Sequence, residues 1–125
     1  MTRHDVDAET ERRMLGLIGL GVRARNAVIG VEQVRVAARR GRLALAVVAP
    51  DASRHSLDKV VPLLHARGVR VVEGPSAAAL GAAVGRESTA AVGITDAALA
   101  RGVRALCGGR EQDRREIVRA RGRGR

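Results

Sequence analysis

"MLGLIGLGVRA", residues 14–24, admits two incompatible readings. Gly19-Leu20-Gly21-Val22-Arg23-Ala24 fits G-x-G-x-x-A, the spacing of loops that cradle a dinucleotide pyrophosphate, and such a loop needs a strand before it and a helix after it. Apolar residues at 14, 17, 18 and 21/22 instead recur as they do on one face of a helix. The residues upstream weigh against the loop. Asp5, Asp7, Glu9 and Glu11 suit the first turns of a helix, whose dipole favours negative charge at its start. The acidic residue that the fingerprint requires about twenty positions on is missing, and Arg39 and Arg40 stand near that offset. The spacing therefore predicts an amphipathic helix from Asp7 to Arg25, with Gly16, Gly19 and Gly21 on or near its packed face. A small nucleotide-binding enzyme using the Gly19 loop is the less favoured alternative.

Outward from this helix the chain alternates. "NAVIG" (26–30) reads as an edge strand ending at Gly30, and a second helix runs from Val31 to Arg40, with Gly41 placed as its C-cap. "LALAVVA" (43–49) is a continuous apolar run, typical of a central strand buried on both faces. Ser56 is placed to cap a helix through Arg67, which must tolerate Pro62 in its second turn. "VRVVE" (69–73) reads as a strand, 76–83 as a short Ala-rich helix, "TAAVGIT" (89–95) as the last strand, and Asp96 opens a helix to Leu106. Strands alternating with helices predict an α/β fold, a three-layer α-β-α sandwich. Residues 1–107 are expected to form this single domain. Residues 108–125 carry seven Arg, three acids and almost nothing apolar, the composition of a basic flexible tail.

Composition narrows the function. The net charge is +10, from 22 Arg and Lys59 against 13 acids, a balance that suits a polyanionic partner. Six Arg (23, 25, 35, 39, 40, 42) and one acid, Glu32, fall between Arg23 and Arg42. Phe, Tyr and Trp are absent, so base stacking on aromatic rings is excluded. Cys107 is the only cysteine; no intrachain disulfide is possible, which suits a reducing cytoplasm. No apolar run approaches a membrane span, so no membrane partner is expected. Chemistry is equally sparse. His4, His55 and His65 lie in different segments and read as exposed or partly buried polar residues rather than metal ligands. Cys107 reads as a packed side chain, and Asp51/Asp58 and Glu87/Asp96 read as turn or cap residues. No catalytic residue, metal or cofactor is expected.

"GVEQVRVAARRGR" (30–42) is the segment that remains. A glycine opens a helix whose first N–H groups are free to meet whatever docks there. Glu32 and Gln33 sit in the first turn with acceptors suited to base amino groups, and Arg35 and Arg39 share a face at i, i+4. The other reading of the segment is a capping helix with a solvated polar face.

Several segments taken together resemble the kink-turn RNA-binding ribosomal protein superfamily, the L-seven-Ae and L-thirty-e group, and most closely its bacterial YlxQ-type members. The carriers are "LGLIGLGVRARNAVIGVEQV" (15–34), "LALAVVAPDAS" (43–53), "GVRVVEG" (68–74) and "LGAAVGRESTAAVGITDAALA" (80–100), in the family's order and spacing over roughly residues 12–106. The resemblance implies a mixed four-stranded sheet between helices and a non-enzymatic protein that grips structured RNA with two elements. One is the Gly-led helix start, here Gly30, Glu32 and Gln33; the other is the loop before the last strand, here Glu87, Ser88 and Thr89. Where the family usually carries a Lys one turn after the glycine motif this chain has Val36, and at a commonly basic position before "VxG" it has Asn26. Charge stands instead on Arg25, Arg35 and Arg39. Structured RNA, ribosomal or kink-turn-containing, is the implied partner, with ribosomal proteins or processing factors beside it. A protein-interaction module that keeps the fold without kink-turn recognition is the alternative.

Overall fold

The computed structural model describes residues 3–107, and the tail expected over 108–125 lies outside the described residues. Nine elements follow one another as α1 (Arg3–Arg23), β1 (Ala27–Ile29), α2 (Val31–Arg39), β2 (Leu45–Val48), α3 (Arg54–Ala66), β3 (Val71–Glu73), α4 (Ala77–Ala83), β4 (Ala91–Ile94) and α5 (Ala97–Leu106). The order matches the expected alternation throughout. The sheet runs β1-β4-β2-β3: β4 is antiparallel to both β1 and β2, and β2 is parallel to β3. It is a mixed four-stranded sheet with β1 at one edge.

Two aliphatic clusters sandwich it. On one face Met14 and Ile18 of α1, Leu80 of α4 and Ala100 and Val103 of α5 pack on Leu45, Val47, Val72, Val92 and Ile94. On the other, Val34 and Ala38 of α2 and Val60 and Leu64 of α3 pack on Ala46, Val48, Val71 and Ala91. Every residue of β2 and β4 is buried, which is why "LALAVVA" reads as an unbroken apolar run. With no aromatic ring available, close approach of helix and sheet fills the space. A Cβ on Gly93 of β4 would stand 3.4 Å from Val34 Cγ2 of α2, and closer still to Val28 and Leu43.

Residues 14–24 are helix up to Arg23, and α1 begins at Arg3, four residues before the expected start. Gly19 and Gly21 therefore lie inside a continuous helix and form no phosphate loop. Gly19 is buried against α4, where an added Cβ would meet the Ala83 carbonyl oxygen at 3.3 Å, and Gly21 is buried against Leu99 of α5. Gly16 differs from the expectation: it is exposed, and nothing lies within 4 Å of the place a Cβ would take.

Helix ends follow local chemistry. Ser53 rather than Ser56 caps α3, its hydroxyl oxygen accepting from the Ser56 amide at 3.1 Å. The helix therefore starts earlier, and Pro62 falls in its third turn on an exposed position. Ser76 caps α4 and Asp96 caps α5, accepting from the Leu99 amide at 2.8 Å. At their C-termini α2, α3 and α4 are followed by Gly41, Gly68 and Gly85 at positive φ. After α1 that left-handed place is held by Arg25 (φ 61°), with the Asn26 and Arg25 amides donating back to the carbonyls of Gly21 and Val22 at 2.7 and 3.1 Å. Cys107 closes α5 and is buried in the core. Among the described residues no helix is long and apolar enough to cross a membrane.

Candidate functional site

Gly30 is the pivot of the site. It is the N-cap of α2 with φ 94° and ψ 155°, a backbone region almost confined to glycine. No side chain caps α2, whereas α3, α4 and α5 each carry a Ser or Asp cap on an early amide. The first turn of α2 thus keeps amide donors open, at the end of a helix whose dipole favours an incoming acceptor. Glu32 and Gln33 stand exposed on that turn.

The loop Gly85 to Thr89 is held beside this helix start by a shared acceptor. The Ala91 carbonyl accepts the Gly30 amide at 2.9 Å and the Thr89 hydroxyl at 3.1 Å. Across the loop, the Thr89 amide donates to Ala77 O at 3.0 Å and the Arg86 amide to Gly81 O at 2.7 Å. Gly81 makes this seat possible, since a Cβ there would stand 2.6 Å from Ser88 N and 2.9 Å from Arg86 O. Sequence reasoning missed Gly81; the available signal was a glycine inside the otherwise Ala-rich helix "AAALGAA", where it costs about 1 kcal/mol unless packing demands it. Asp51 also contributes, its carboxylate accepting the Ala77 amide at 2.8 Å and fixing the start of α4. Of the loop residues singled out from the sequence, Glu87 and Ser88 face outward, whereas Thr89 is 8% exposed and turns inward to brace the loop.

The remaining nominated residues do not gather at this spot. Asn26 O accepts from the Thr95 amide, and the Ala44 amide donates to Ile94 O, so Arg25, Asn26 and Arg42 collect at the far end of β4. From Ala91 to Ile94 is about 10 Å of extended chain. Arg39 stands exposed in the last turn of α2, away from Gly30. Arg35 lies between the two groups. Its Nη1 donates to Glu32 Oε1 at 3.2 Å, and its Nε is buried with no hydrogen-bond partner. The pair is partly exposed, 26% and 68%, so it contributes at most about 1 kcal/mol to folding. The site thus has a polar end with open amides and a basic end, joined by α2. Among the described residues no group of His, Cys, Asp or Glu could hold a metal ion.

Known proteins share this fold. A model described as the Ribosomal protein L7Ae/L30e/S12e/Gadd45 family matches residues 12–102, close to the stretch that carries the resemblance. A solved protein of unknown function from Bacillus halodurans is 30% identical with a TM-score of 0.71, covering 77% of this chain and 97% of its own. The Giardia lamblia 15.5kD RNA binding protein is 25% identical with a TM-score of 0.67, covering 83% of this chain and 89% of its own. No curated protein matches the chain significantly.

Proposed function

Because the chain belongs to the Ribosomal protein L7Ae/L30e/S12e/Gadd45 family, we propose that it is a cytoplasmic, non-catalytic protein that binds structured RNA of the kink-turn kind, ribosomal or ribosome-associated. The observation that carries this reading is the Ala91 carbonyl, which accepts from both the uncapped start of α2 and the end of the loop Gly85 to Thr89. Exposed Glu32 and Gln33 offer acceptors and a side-chain amide to base edges, and the α2 amides offer donors. Glu87 and Ser88 present the facing wall. The similar Giardia lamblia protein is itself an RNA binding protein.

In this reading the RNA backbone leaves the polar end and runs along α2 toward Arg39, Arg25 and Asn26. Arg35 lies on the way. Its guanidinium is partly exposed and holds Glu32 through Nη1, so that end of the side chain is the part a phosphate would meet. The seven Arg between 110 and 125 add phosphate contacts without sequence information. The test is a titration of a kink-turn RNA against a plain duplex of equal length at two salt concentrations. Tighter binding to the kink-turn, lost in a Gln33→Ala variant, is expected, with log K falling by about 0.7–0.9 per log unit of salt for each phosphate neutralised. Equal affinity for both RNAs removes the kink-turn part, and no binding at low salt removes RNA binding altogether.

A further inference from the structure

The helices α1 and α5 lie side by side in the layer opposite α2, with Leu17 Cδ1 3.4 Å from the place of a Cβ on Gly102. A surface furrow runs between them, floored by Leu17, Leu20 and Leu106 and bounded by Arg13 and Arg23. Two of its features are not explained by the fold. Leu20 is 53% exposed, the large hydrophobic that stands out among the described residues. Gly16 sits mid-helix with open space where a Cβ would be, although glycine there costs about 0.5–1 kcal/mol relative to alanine. Gly19 and Gly21 repay that cost by close packing; Gly16 does not, and its missing side chain only keeps the furrow open.

Arginine is in surplus around it. Arg13 and Arg23 line the furrow, Arg12 and Arg101 are exposed on the same two helices, and Glu9 is taken up by Arg13 at 3.2 Å. A second copy of this chain would bring the same surplus of arginine. The apolar floor suits no phosphate backbone, and no ring is present on which a base could stack. From Arg13 to Arg23 the furrow extends about 15 Å, the length over which a helix presents anchors at i, i+4 and i+7. We propose that this furrow docks an acidic amphipathic helix of a partner protein, leaving α2 and the loop Gly85 to Thr89 free for RNA. The proposal does not rest on the RNA reading.

The test uses the full chain and a defined probe: a fluorescent amphipathic peptide with leucines at i, i+4 and i+7 and glutamates on its flanks, and a twin with lysines in their place. The acidic peptide is expected to bind saturably, at least about tenfold tighter than its twin. Leu20→Glu, at an exposed position, is expected to cost about tenfold in peptide affinity while unfolding stays unchanged. Gly16→Ala is expected to raise the unfolding midpoint and yet weaken the peptide, a pairing of effects that a purely structural glycine cannot give. Equal binding of the two peptides, no effect of Leu20→Glu, or displacement of the peptide by RNA overturns the proposal. So does a concentration-dependent dimer that Leu20→Glu dissolves, which makes the occupant a second copy.

Discussion

Replacing Gly81 by alanine puts the seat of the loop Gly85 to Thr89 under direct strain. The new Cβ would stand 2.5 Å from Ser88 Cα, 2.6 Å from Ser88 N and 2.9 Å from Arg86 O, and all three are backbone atoms that cannot rotate away. Relief requires the loop to lift from α4. Lifting it stretches the bonds from the Arg86 amide to Gly81 O and from the Thr89 amide to Ala77 O, each of net value about 1 kcal/mol. Overpacking of this kind costs about 1–3 kcal/mol, against which alanine returns about 1 kcal/mol of helix propensity. The expected net is a loss of up to about 2 kcal/mol. Gly16→Ala is the matched control, because it gains the same propensity with nothing within 4 Å to oppose it, for a rise of about 0.5–1 kcal/mol. Urea unfolding of the two variants and the parent measures both shifts, provided the slope with denaturant stays constant. Amide exchange at Thr89 reports the loop separately and is expected to quicken in Gly81→Ala alone. A Gly81→Ala protein as stable as the parent, with Thr89 exchange unchanged, refutes the claim that the loop is seated on that glycine.

Gly30→Ala forces a Cβ into φ 94°, ψ 155° with no neighbour in the way, so the cost is conformational, about 1–3 kcal/mol, and RNA affinity measured where both proteins are folded is expected to fall with it. Thr89→Val deletes the hydroxyl that donates to Ala91 O while leaving the Gly30 amide on that acceptor; calorimetry should show a loss of about 0.5–1.5 kcal/mol. Arg25→Gly relieves the left-handed backbone after α1, worth about 1 kcal/mol, and is expected to raise the unfolding midpoint while reducing the salt dependence of RNA binding by about one phosphate contact. A more stable Arg25→Gly protein with an unchanged salt slope would leave Arg25 outside the RNA path.

The fold was legible because its signals are local. Acid placement and helical spacing made "MLGLIGLGVRA" a helix rather than a strand and loop, and the unbroken apolar run over 43–49 made a central strand. Gly41 marked the end of α2, where the backbone turns into the left-handed region. Caps were harder, because Ser53 and Ser56 both satisfy the sequence rule and only the backbone geometry places the accepting hydroxyl at Ser53. Arg25 shows the same limit: nothing local announces an arginine in the left-handed position.

Local signals along the chain set the order of elements, the aliphatic composition of the core and the glycine that opens α2, since each depends on neighbours within a few residues. Which nominated residues meet depends on how the strands pair. Gly30 and the loop Gly85 to Thr89 are separated by more than half the domain in sequence, and they join only because β1 and β4 pair antiparallel and bring the Gly30 amide to Ala91. That same register sends Arg25 and Asn26 to the opposite end of β4, turns Thr89 inward and gives Gly81 a purpose. Strand pairing is a contact between distant segments, and spacing along the chain does not encode its register.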